Sequence, residues 1–243
     1  MTLMEFVGCA CTAYSPVLTL CMFTVFHDPI RIIILVASAF YWLLSLLLSA
    51  IFWNYVTFRH VLPLCIIVSV IFQEIFRYIM YYILKKAEQG LKKINVPSTN
   101  KDITSNKHVV PFVSGLGFGV MSGCFSLANI LAELAGPGTV GLKGGSEYFG
   151  LISSVHTMIF TLLHTFWSVI FFPAVEERNF WQLSWVVGSH LLVSCMTLFN
   201  QSDMFYVSLP VAFLVLLFTA YISLCCVCKR SVQSISLHEH VQS

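Results

Sequence analysis

Residues 108–131 read HVVPFVSGLGFGVMSGCFSLANIL, an unbroken stretch without Asp, Glu, Lys or Arg. A hydrocarbon core about 30 Å thick needs about 20 apolar residues in a helix. This stretch meets that length and fits no soluble element so well. Six comparable runs flank it, and the seven expected spans are 3–26, 32–54, 61–84, 108–131, 148–173, 181–199 and 206–228. Strands are not expected, because each run is about twice a barrel strand in length and lacks strict alternation. Over the 243 residues, 58 % are hydrophobic and only 10 % charged, with a mean hydropathy of +0.84. Soluble domains carry about 25 % charged residues, so this chain has too little charge to cover a water-facing surface. The expected fold is an all-α polytopic membrane protein of seven transmembrane helices, residues 1–228, followed by a cytosolic tail, 229–243.

Orientation follows from the basic residues. With the N-terminus lumenal or extracellular, the cytosolic side receives Arg31, Lys85, Lys86, Lys92, Lys93, Lys101, Lys107, Arg178, Lys229 and Arg230. The other side receives only Arg59 and Lys143, and Arg77 is left inside the third span. The C-terminus is therefore expected in the cytosol. The net charge of +2 gives no reason to expect nucleic acid. The basic stretch 85–107 reads chiefly as a topology signal, with contact to anionic membrane lipid as a further role. No basic n-region precedes the first run, whose first charge is Glu5, so no cleaved leader is expected.

Polar side chains inside a span are costly and need partners. Glu74 lies about ten residues from the end of its span, roughly 15 Å deep. Arg77 follows at i+3 on the same face, so an intramembrane ion pair is expected, with Arg77 reaching toward the cytosolic interface. Gly115, Gly119 and Gly123 form a doubled small-xxx-small ridge, and Ser122, Ser126 and Asn129 fall near the same face. That side is expected to dock a helix, and the other side to meet lipid. His164 stands on a stripe with Thr157, Thr161 and Ser168, and His190 on one with Ser194 and Thr197. The two histidines are expected to share a polar cavity between helices.

Several chemistries fail on spacing. The aspartates, Asp28, Asp102 and Asp203, all fall in loops or at ends, so a paired intramembrane aspartate is not expected. No H-E-x-x-H occurs. Ser122 and His190 sit on different spans, yet Gly119–Gly123 (GVMSG) is one residue longer than a Gly-x-Ser-Gly nucleophile motif. The nine cysteines lie almost wholly in apolar runs, as buried thiols do. Cys225-x-x-Cys228 reads first as helix-end thiols, then as acylation sites, and least as a zinc site with His238 and His240. No metal and no cofactor are expected.

Seven strings carry a resemblance. They are Gly115–Gly123 (GLGFGVMSG), Leu163–Trp167 (LHTFW), Val186–Leu192 (VVGSHLL), Asp28-Pro29 with Arg31, Gln73-Glu74 with Arg77, Leu84-Lys85-Lys86-Ala87, and Gly136-Pro137-Gly138. In order and over about residues 1–200, the chain resembles the anterior-pharynx-defective family, a subunit of γ-secretase. The resemblance implies a non-catalytic scaffold that associates with presenilin, nicastrin and presenilin enhancer. It implies a complex that cleaves type I membrane proteins such as Notch and amyloid precursor protein, in endoplasmic reticulum, Golgi and plasma membrane. It places helix packing and assembly on Gly115, Gly119 and Gly123, and support of assembly and activity on His164 and His190. The competing reading from the residues alone is a small transporter or channel using Glu74, His164 and His190.

Overall fold

The computed structural model describes residues 3–55, 61–94, 108–135, 148–202 and 204–242, with the backbone alone for 91, 92, 94, 201, 202 and 232–242. Among these residues there are seven α-helices: α1 (Leu3–Thr24), α2 (Pro29–Tyr55), α3 (Leu62–Ile94), α4 (Val109–Ala135), α5 (Phe149–Glu176), α6 (Phe180–Met196) and α7 (Phe205–Gln242). A 3₁₀ turn, Thr197–Ser202, joins the last two. All seven helices are long and apolar enough to cross a membrane. The chain is a seven-span all-α membrane protein.

The helix ends follow local chemistry. The Asp28 carboxylate accepts from the Ile30 amide at 2.9 Å, so α2 starts at Pro29, three residues before the expected start. Proline suits that first position, since its missing N–H is unneeded there. Arg31 bonds back to the Thr24 carbonyl at 2.8 Å and ties α2 to the end of α1. Asn179 caps α6 through the Gln182 amide at 3.4 Å, and Arg178 makes the tight turn before it with φ 53°. At the other extreme, α3 runs ten residues beyond its expected end at 84. Lys, Ala, Glu, Gln and Leu, all good helix formers, make up most of that extension and outweigh Gly90 within it. Arg59, Lys101, Lys107, Lys143, Asp102, Asp203 and the Gly136-Pro137-Gly138 string lie outside the described residues, as do the side chains of Lys92, His238 and His240.

Helix α5 is the hub, packed on α1, α4, α6 and α7, while α3 lies between α2 and α6. In lipid no hydrophobic force draws helices together, so close van der Waals contact and hydrogen bonds must do it. The ridge on α4 makes that contact possible. A Cβ at Gly115 would fall 2.7 Å from the His164 carbonyl oxygen and 2.8 Å from Ser168 Cβ. One at Gly119 would strike the Thr161 backbone, and one at Gly123 would fall 2.8 Å from Thr161 Oγ1. The approach is sealed by Thr161 Oγ1 donating to the Gly119 carbonyl at 3.2 Å, and by Tyr14 Oη donating to the Gly123 carbonyl at 3.2 Å.

The opposite side of α4 was expected to meet lipid, and there the structure differs. Gly117 lies about 200° around the helix from Gly115, at 100° per residue, and packs on α2. A Cβ there would strike the Leu35 carbonyl and fall 2.9 Å from Ser38 Cβ. Ser38 also bonds Ser114 at 3.0 Å. Helix α4 is thus wedged between two neighbours over its first half.

Because the obstacle at Gly119 is main chain, it cannot swing aside. Gly119→Ala should destabilise the protein by about 1–3 kcal/mol. Gly188→Ala, where a Cβ meets nothing within 4 Å, should be neutral or slightly stabilising, since Ala is the better helix former. Thermal unfolding in detergent micelles checks the pair, and equal melting of the two variants would refute the wedge.

Candidate functional site

Glu74 and Arg77 project from α3 toward α5 and α6. There they meet both histidines, so the ion pair and the histidine pair, read separately in the sequence, form one cluster. Arg77 is fully buried, and Glu74, His164 and His190 are buried with it. Arg77 Nε donates to Glu74 Oε2 at 3.1 Å, and Nη2 to Glu74 Oε1 at 3.3 Å. Nη1 donates to the His164 carbonyl at 3.1 Å and to Ser168 Oγ at 2.6 Å. Nη2 also meets His164 Nδ1 at 3.0 Å. All five guanidinium N–H groups are therefore used. The expected reach of Arg77 toward the interface does not occur, because these partners inside the bundle take up every guanidinium N–H.

The geometry fixes the proton positions. Guanidinium only donates, so His164 Nδ1 must accept and the ring carries its proton on Nε2. A carboxylate only accepts, so His190 Nδ1 carries a proton and donates to Glu74 Oε1 at 2.7 Å. Trp167 stacks on His190 with centroids 4.3 Å apart, while its indole donates to Ser189 Oγ at 2.9 Å. The Arg77 guanidinium carbon also lies 5.3 Å from the Phe118 ring centroid. With the Glu74 and Arg77 charges opposed, the cluster bonds α3, α5 and α6 at little net charge.

Of the other expected residues, Gly115, Gly119, Gly123 and Ser122 are buried against the bundle. Ser126 and Asn129 are exposed, and the Ser126 hydroxyl bonds back to the Ser122 carbonyl at 2.8 Å. Phe118, Trp167 and Ser189 belong to the cluster without having been singled out. Trp167 had a legible signal, three residues after His164 on a polar stripe. A third histidine, His156, lies on α5 two turns before His164 and faces Ser208 of α7 at 3.4 Å. Among the described residues, no three His, Cys, Asp or Glu side chains are grouped to hold a metal.

The comparisons with known proteins bear on this whole architecture. The family described as Aph-1 protein matches residues 4–230. The chain belongs to the Aph-1 family. It is 46 % identical over 223 residues to the γ-secretase subunit Aph-1 of Drosophila melanogaster, covering 92 % of each chain. It is 42 % identical over 226 residues to the human γ-secretase subunit APH-1B, covering 89 % of this chain and 86 % of that one. The γ-secretase subunit aph-1 of Caenorhabditis elegans is 31 % identical over 237 residues, 87 % of this chain and 76 % of its own. The family match spans all seven helices and so contains every member of the buried cluster.

Removing Arg77 would leave the Glu74 charge buried without its cation. Arg77→Met should cost about 3–5 kcal/mol. Adding Glu74→Gln should restore part of that loss, because the two side chains interact directly. A double-mutant cycle by thermal unfolding checks this, and simple additivity would show that the pair is not coupled.

Proposed function

We propose that this chain is the Aph-1 subunit of a γ-secretase complex, and that it acts there as a non-catalytic scaffold. The match to the family along residues 4–230 carries this reading, and relatives that cover most of both chains bear the name γ-secretase subunit. The partners proposed are presenilin, nicastrin and presenilin enhancer, and the substrates type I membrane proteins such as Notch and amyloid precursor protein. The chain is placed in endoplasmic reticulum, Golgi and plasma membrane, with a lumenal N-terminus and a cytosolic C-terminus, in accord with its basic residues.

The geometry supports a scaffold. Glu74, which among the described residues is the one carboxylate deep in a span, has both oxygens bonded to Arg77 and one to His190. A group held in this way braces helices. The transporter or channel reading is not favoured, since the residues it would use are bonded to one another. The glycine ridge serves the fold of the chain itself by seating α4 on α5. Docking of partners by α4 then falls to its exposed edge at Ser126 and Asn129, where a polar amide in the membrane awaits an interhelical hydrogen bond.

Isolation of the tagged chain from membranes in mild detergent should recover a presenilin-type protease. Asn129→Leu with Ser126→Leu should lower that recovery and leave thermal unfolding of the chain unchanged. Gly119→Leu should lower both. Recovery of a folded native chain without partners would refute the subunit reading, and full recovery with the double variant would refute the docking edge.

A further inference from the structure

Among the described residues Trp167 is the largest side chain that is fully buried. Such a ring ordinarily fills space and finds its N–H one partner. This one does more. Its indole stacks on the His190 imidazole, with ring planes 28° and centroids 4.3 Å apart. Its Nε1 donates at 2.9 Å to the hydroxyl of Ser189, the residue before His190 on α6. The His164 ring meets it edge-on at 5.3 Å between centroids, and the Arg77 guanidinium carbon lies 5.9 Å from its ring. From α5, one uncharged side chain thus meets Arg77, His164 and His190, and is pegged to the turn that carries His190.

An imidazole held by one hydrogen bond keeps two freedoms. Its ring can turn over about the Cβ–Cγ bond, a broad two-fold torsion, which puts a carbon where Nδ1 stood. Its proton can also pass to Nε2, because the bonds that the ring makes decide the tautomer. Either event takes from Glu74 Oε1 the donor that now lies at 2.7 Å. The stack opposes the turnover, since a turning ring must sweep its edge through the layer that the indole fills. The Ser189 bond keeps the indole from sliding aside. Ser189 is itself fastened, donating to the Val186 carbonyl at 3.3 Å. With the ring unable to turn, Nδ1 stays against the carboxylate, which only accepts and so keeps the proton there.

We propose that Trp167 is a positioning residue: pegged by Ser189, it holds His190 with its Nδ1 proton on Glu74, and assembly with partner subunits depends on that hold. The hold on His190 concerns this chain alone, while its part in assembly rests on the subunit reading.

The test is ring-nitrogen NMR of the full chain with ¹⁵N-labelled histidine in detergent micelles, with His190→Asn to identify the His190 signals. In the native chain His190 should carry its proton on Nδ1 and exchange it slowly with water. Trp167→Phe and Ser189→Ala should each speed that exchange about fivefold, as the loss of one buried hydrogen bond allows, and add a signal from a proton on Nε2. Combining them should add little, because both remove the same bond. Ser194→Ala, at a buried serine one turn along α6, should leave His190 as it is in the native chain. Ser189→Ala removes a single oxygen and decides the matter if Trp167→Phe does not fold. Native exchange in Ser189→Ala, or equal effects of Ser189→Ala and Ser194→Ala, would overturn the hold. Recovery of a presenilin-type protease from membranes should fall with Ser189→Ala, and full recovery beside a freed His190 would overturn its part in assembly. A native chain that recovers no partner would end the subunit reading and that part with it, while the proton signals still decide the hold.

Discussion

An arginine with no access to water has to find an acceptor for every N–H it carries, and Arg77 dictates much of this bundle by doing so. Its five bonds reach a carboxylate on its own helix and a carbonyl, a hydroxyl and an imidazole on α5. Glu74 passes the link on to His190 of α6. Removing charges from water costs several kcal/mol per ion even after relaxation. The arrangement is therefore worth less as net stability than as a constraint. Other placements of α3, α5 and α6 would leave the remaining guanidinium N–H groups without the His164 and Ser168 acceptors and Glu74 without His190.

That placement depends on α4, which touches neither Glu74 nor His190 through a glycine. Gly115 faces the same His164 carbonyl and Ser168 that Arg77 bonds from the other direction. A side chain at 115 would push α5 away and move two acceptors out of reach of the guanidinium. Gly117 holds the back of α4 against α2. The ridge thus seats the helix that supplies Arg77 with its acceptors, and packing and polar satisfaction are two sides of one interface.

The seven spans were legible because lipid thickness imposes a length that composition alone reveals. Glu74 with Arg77 was legible because i+3 places both on one helix face, and the histidines because each stood on a polar stripe. Their union was not, since it joins residues 87 and 116 positions apart. One of the acceptors is a backbone carbonyl, and a carbonyl leaves no mark in a sequence. Gly117 was hidden by the regular spacing around it, which drew attention to the other face. The expected reach of Arg77 toward the interface took water as its nearest partner, where the fold supplies protein groups instead.

The i,i+3 spacing of Glu74 and Arg77 has a consequence for the order of events during synthesis. Helix α3 leaves the ribosome while α5 and α6 do not yet exist. His164 emerges 87 residues after Arg77, a delay of about 4 to 17 seconds at usual rates of translation. Throughout that interval a lone cation in the bilayer would favour expulsion of the segment. The carboxylate one turn away is already present and neutralises it within a single helix. The pair thus carries its own counterion through insertion, and the histidines arrive later to lock a span that is already in place.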